Sequence, residues 1–80
     1  MDGKIMELMG LAFGQDLSER SLAECTPETV RGWDSLAFLN LIALLEEVFG
    51  VEMGIEDIAK MTESGSAIKE TIEEKIIKKD

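Results

Sequence analysis

The chain has no histidine and no tyrosine, and it carries one cysteine, one proline and one tryptophan. Without histidine, His-dependent catalytic triads and His-containing metal sites are excluded. The lone Cys25 cannot close an internal disulfide, which is compatible with a reducing compartment. Bases are scarce: eight against seventeen acids, a net charge of −9. Nucleic acid is disfavoured as a partner because phosphate contacts need clustered Lys and Arg. An anionic membrane would repel this surface, whereas basic protein surfaces would be drawn to it. No stretch of about 18 apolar residues is present to span a membrane. No basic segment followed by an unbroken apolar run opens the chain, so no secretory signal is visible. These absences place the expected location in the cytoplasm.

What remains is ordinary for a small folded domain. Residues 1–80 read as one domain, expected to be free-standing and monomeric. A chain this short buries only about 60–65% of its unfolded surface, enough for one core with little left for a deep enclosed site. An apolar fraction of 45% is too high for disorder. The aromatics are few (Phe13, Trp33, Phe38 and Phe49), so the core must be aliphatic with methionine as filler, which favours helices.

Periodicity agrees. Ile5, Leu8, Met9, Ala12 and Phe13 predict a helix over 4–13, with Asp2 as its cap and Gly14 as its stop. Residues 14–34 lack sustained periodicity and form a long loop, which Leu17, Leu22 and Val30 are expected to pin to the core. Within it, Thr26-Pro27-Glu28 suggests a single helical turn. The strongest helix spans 35–49, with Phe38, Leu41, Ile42, Leu45, Val48 and Phe49 inward, Asp34 as cap and Gly50 as stop. A short helix over 55–61 is expected to face Ile55, Ile58 and Met61 inward. The last helix, 66–78, aligns Ile68, Ile72 and Ile76 beside Thr71. Ser64 or Ser66 caps it, and Lys75, Lys78 and Lys79 complement its C-terminal dipole. No strand-like alternation and no EF-hand pattern appears. The prediction is an all-α four-helix bundle, three helices longer and the third short.

The segment Gly32-Trp33-Asp34-Ser35-Leu36 stands where the loop meets the strongest helix. Two readings of its polar pair are open. Asp34 and Ser35 form a capped helix start, or Ser35 is an attachment point for a phosphate-linked group, which a helix N-terminus favours electrostatically. Ser35 has no His or nearby Lys to activate it, so another enzyme would have to perform the attachment. Trp33 is expected to pack the loop onto the core, and Cys25 to be an inert thiol. Leu36, Leu39 and Ala43 fall away from the core row, with Asn40 and Glu47 near the far side. They form a docking patch, or the loop covers Leu39. From Asp34 to Glu63 there are seven acids and one base, a net of −6 out of −9. These acids form a docking surface or simply a solvated one.

Trp33-Asp34-Ser35-Leu36, followed by the apolar helix ending Leu44-Leu45-Glu46-Glu47-Val48-Phe49-Gly50-Val51-Glu52, resembles the acyl carrier proteins and related peptidyl carrier domains. The likeness runs over nearly the whole chain, down to the short third helix and the long loop between the first and second. It implies an acyl-carrier-type bundle that is not itself an enzyme. It implies 4′-phosphopantetheine attached covalently to Ser35 by a phosphopantetheinyl transferase, with an acyl group carried as a thioester on the arm. Asp34 would help to position the metal ion during that transfer, while the protein itself holds none. Leu36, Leu39, Asn40, Ala43, Glu46, Glu47, Glu56 and Asp57 would meet partners: the transferase, an acyl-loading ligase or acyltransferase, and ketosynthase-type enzymes. Carriers of primary fatty acid synthesis have acids soon after the serine; here those places hold Ala37 and Asn40, which implies a specialised fatty-acid or polyketide-like pathway. A D-alanyl or other amino-acyl carrier would use the same attachment chemistry. A rival from another class is an unmodified acidic helical adaptor.

Overall fold

Gly14 and Gly50 stand where helical periodicity stops. In the computed structural model both take the left-handed conformation that closes a helix. The structure describes residues 1–79, and side chains through Ile77. Helix α1 spans Asp2–Phe13, α2 Ser35–Phe49, α3 Ile55–Met61 and α4 Gly65–Lys79, with a 3₁₀ turn at Leu22–Glu24. No strand occurs among the described residues, so the fold is a small all-helical bundle. No helix among them is long and apolar enough to cross a membrane.

The core follows from the 3.6-residue period. Ile5, Leu8, Met9 and Phe13 of α1 face Phe38, Leu41, Ile42 and Leu45 of α2, and Met61, Ile68 and Ile72 close the other side. Burying each such side chain contributes roughly 1.5–3 kcal/mol. α1 packs most extensively on α2, while α3 leans on α4, and α4 also meets the 3₁₀ turn and α1. Met9 and Met61 are fully buried, as expected of filler.

The long loop is folded onto this body. Leu17, Leu22 and Val30 are buried as expected, and so is Cys25. The Gly65 N–H donates to the Cys25 carbonyl at 2.8 Å, tying the loop to the head of α4. At Thr26-Pro27-Glu28 the chain makes one turn: the N–H groups of Thr29 and Val30 both reach the Thr26 carbonyl at 3.0 Å. The radius of gyration, 11.4 Å, agrees with the roughly 12 Å of a folded chain of this length, leaving no room for a splayed loop.

The structure differs from the sequence expectations in particular places. Asp2 is not a cap. Met1 holds that position, its carbonyl taking the Ile5 N–H at 3.1 Å, and the Asp2 carboxylate reaches Lys69 Nζ on α4 at 3.0 Å. Val48 is 44% exposed, because the chain reverses at Gly50 and Val51 is the side chain buried there. Ile55 is 88% exposed. It lies six residues before Met61, which at 3.6 residues per turn is about 120° around the helix, so both cannot face the same core. Ile58 is half-buried and Met61 fully. The 3₁₀ turn was not expected, although Ser21-x-x-Glu24 carries a capping signal: the Glu24 carboxylate accepts from the Ser21 N–H at 2.9 Å and its hydroxyl at 3.0 Å. Ser64, not Ser66, caps α4, its Oγ accepting from the Ala67 N–H at 3.1 Å. Lys75 is directed to α3 rather than to the end of its own helix; the side chains of Lys78 and Lys79 lie outside the described residues.

Candidate functional site

The site is built around the first turn of α2. Asp34 has extended backbone angles, and its Oδ1 accepts from the Ala37 N–H at 2.8 Å, while its carbonyl takes the first intrahelical bond from the Phe38 N–H. This is the cap the sequence predicts. Asp34→Ala is expected to lower stability by about 1 kcal/mol, which for a domain this size moves the melting temperature by roughly 4–8 °C. Asp34→Ser should retain most of it. Thermal unfolding of both variants checks this, and an equal loss in both would remove the capping explanation.

Immediately before the cap, Trp33 is half-buried. Its ring stacks on Phe13 at a centroid distance of 4.9 Å and faces Phe38 at 6.2 Å. Such pairs contribute about 0.5–1.5 kcal/mol beyond their buried area. The tryptophan thus fastens the loop to both α1 and α2, the packing role expected of it. The chain also turns tightly here: the Trp33 N–H reaches Val30 O at 3.4 Å and the Asp34 N–H reaches Gly32 O at 3.0 Å.

Ser35 is therefore presented on a fixed base. It is the first residue of α2 and is exposed, and its hydroxyl has no hydrogen-bond partner among the described residues. With Ala37 and Phe38 bonded to Asp34, the N–H groups of Ser35 and Leu36 are the donors left open at this helix head. An anionic group on the serine oxygen is favoured there by these donors and the helix dipole.

The outer face of α2 continues from this point. Leu36, Leu39, Asn40, Ala43 and Glu47 are all exposed and, at about 100° per residue, fall within one stripe roughly 100° wide. Leu36 is 72% and Leu39 56% exposed, so the loop does not cover Leu39. The other acids divide by what they bond. Glu46 is half-buried and its Oε2 takes the Met53 N–H at 2.9 Å, holding the α2–α3 connection. Asp57 accepts from the Gly54 N–H at 2.9 Å and from Lys75 Nζ at 2.7 Å. Glu56 and Glu47 are exposed. The structure thus groups Leu36, Leu39, Asn40, Ala43 and Glu47 with Ser35 on one helix, while Glu46 and Asp57 bond the chain's own loop and α4. Ile55, expected inward, is a further exposed apolar side chain beside Glu56.

The Lys75 ammonium, then the Gly54 N–H, hold the Asp57 carboxyl below the ordinary aspartate value of 3.8. A depressed native pKa means that its stabilisation is complete above that ordinary value and is lost as pH falls through the native one. The stability difference between the wild type and Asp57→Asn is expected to be largest near neutrality and to shrink below about pH 4. Urea unfolding of both proteins at pH 7 and pH 3 measures it, and a pH-independent gap would be contrary to this account.

Two open clefts flank these elements. The larger, 750 Å³, runs between α1 and residues 15–22, and none of its lining residues belongs to the segment around Ser35. The smaller, 480 Å³, is walled by the continuous run Pro27–Asp34, which ends at the residue before the serine. Among the described residues, no group of three or more His, Cys, Asp or Glu side chains could hold a metal ion. The chain matches no family model, no curated protein and no solved structure.

Proposed function

We propose that this chain is an acyl carrier protein, with the acyl-carrier type of four-helix bundle, that takes a 4′-phosphopantetheine arm on Ser35. The observation that supports the reading best is the state of that serine. It is exposed and free of internal hydrogen bonds, and it sits at a helix head fixed by the Asp34 cap and the Trp33 stack. When bound, the arm supplies a terminal thiol that carries an acyl group as a thioester.

In the loading step, a phosphopantetheinyl transferase with Mg²⁺ directs Ser35 Oγ at the pantetheine-linked phosphorus of coenzyme A. The Oγ–P bond forms, the diphosphate P–O bond breaks, adenosine 3′,5′-bisphosphate leaves, and the serine proton passes to the transferase. The chain contributes the nucleophilic oxygen, a rigid approach to it and the donors at the head of α2. Asp34, beside the serine, would help to orient the transferase-bound metal. The exposed stripe from Leu36 to Glu47 would then meet the transferase, a loading ligase or acyltransferase, and ketosynthase-type enzymes in the cytoplasm. Ala37 is half-buried and Asn40 is uncharged in the first two turns, which supports a specialised pathway over the housekeeping one.

The test is incubation with coenzyme A, Mg²⁺ and a broad-specificity phosphopantetheinyl transferase, read by intact mass. A gain of one phosphopantetheine is expected. No gain would overturn the reading and leave the exposed face of α2 to an unmodified adaptor. The pathway is tested separately: a housekeeping ketosynthase that elongates acyl groups here as readily as on its own carrier would remove the specialised assignment.

A further inference from the structure

We infer that the groove walled by Pro27–Asp34 is the resting place of the phosphate-linked end of the arm, and that Arg31 pairs with its phosphodiester. This rests on the carrier reading above.

Four observations converge on it. The groove is contiguous with the attachment point, since its wall ends at Asp34 and the next residue is Ser35. Its 480 Å³ lies within the roughly 300–1,000 Å³ range of small-molecule sites. Arg31 is its only cationic lining residue, is exposed, and forms no ion pair or hydrogen bond with the described residues. The acids in the same wall are Glu28 and Asp34, and Asp34 Oδ1 is already engaged by the Ala37 N–H. The N–H groups of Arg31 and Gly32 likewise have no acceptor among the described residues. Arg31 has negative φ and Gly32 a φ of +83°, the sequence of backbone signs found in anion-binding concavities.

Charge gives the direction. Beyond the groove, from Glu46 to Glu63, the chain holds six acids and only Lys60 as a base. Those acids repel a phosphodiester on Ser35, and Arg31 is the one cation in the groove wall with which it can pair. The tight turns at Val30–Trp33 and Gly32–Asp34 fold the chain between Arg31 and the serine instead of leaving it extended.

The experiment compares ¹H–¹⁵N spectra of the apo and arm-bearing proteins, wild type and Arg31→Gln, with intact mass confirming the arm in each. Glu28–Arg31 are four or more residues from Ser35, so their amides and the Arg31 side-chain N–H report contact through space. In the wild type these signals are expected to move on loading, with the shifts falling at least threefold in Arg31→Gln and shrinking in 0.5 M NaCl. Shifts confined to residues 33–40, or equal in Arg31→Gln, overturn the groove and leave the carrier reading standing. Absence of any mass gain overturns the carrier reading and the groove's ligand with it.

Discussion

Ser35→Ala is expected to abolish the mass gain completely while leaving the protein as stable as the wild type. The loss is all-or-none because, in the proposed attachment, the serine oxygen would be the atom bonded to phosphorus, and alanine offers none. The retained stability follows from the structure. Ser35 is exposed and makes no side-chain hydrogen bond with the described residues. The cap of α2 belongs to Asp34, whose carboxylate bonds the Ala37 N–H regardless of what stands at position 35. Alanine is also the better helix former, by a few tenths of a kcal/mol. Intact mass after treatment with transferase and coenzyme A, together with a melting curve, reads both halves. A mass gain that persists in the variant would move the attachment elsewhere, and a large fall in melting temperature would mean that Ser35 has a structural role not seen here.

Gly32→Ala is expected to have the largest effect on stability of any single change discussed. Its φ of +83° disfavours a side chain, at a cost of about 1–2 kcal/mol. Beyond that, a Cβ would stand 2.4 Å from the Phe13 carbonyl oxygen, which belongs to the backbone at the end of α1 and cannot rotate away. Forced displacement of this kind adds typically 1–3 kcal/mol. The loop would have to lift, loosening the stack of Trp33 on Phe13 one residue later. A total of about 2–5 kcal/mol is a large part of the roughly 4–12 kcal/mol available to eighty residues. The melting temperature should fall by at least about 8 °C, with an altered Trp33 fluorescence. Gly3→Ala is the control: a Cβ there meets nothing within 4 Å. The exposed first turn of α1 should gain up to about 1 kcal/mol from the better helix former. Similar melting temperatures for the two variants would sink the close-approach argument.

The two substitutions lie three residues apart and separate two properties of one segment. The chain before Ser35 is held by backbone conformation and ring stacking, and Ser35 itself is held by nothing but its place in the helix. An exposed hydroxyl on a fixed base suits the external attachment we propose, since a floppy acceptor adds an ordering cost to each encounter.

Much of this was legible in the chain itself. The periodic apolar rows placed four helices, and Gly14, Gly50 and Asp34 marked ends that the structure reproduces, because helix signals are local and repeat every turn. That Leu36, Leu39, Asn40, Ala43 and Glu47 turn away from the core row followed from the same angular arithmetic, whereas the exposure of Leu39, which the loop could have covered, is a finding of the structure. Periodicity gives a helix an inner face, but it does not say how far along that face another element reaches. Val48 and Ile55 were therefore expected inward and are exposed: α2's last turn is closed by Val51, and α3 touches the body through Met61. Nor does a count of acids say which are free. Glu46 and Asp57 are bonded to Met53, Gly54 and Lys75, and the bond to Lys75 exists only because α4 returns beside α3. Local sequence thus determined which residues form helices and that a capped serine heads the strongest one. The tertiary structure alone decided which side chains are covered, which carboxylates are engaged, and that Arg31 shares a groove with the residue before that serine, because each of these depends on groups brought together by folding.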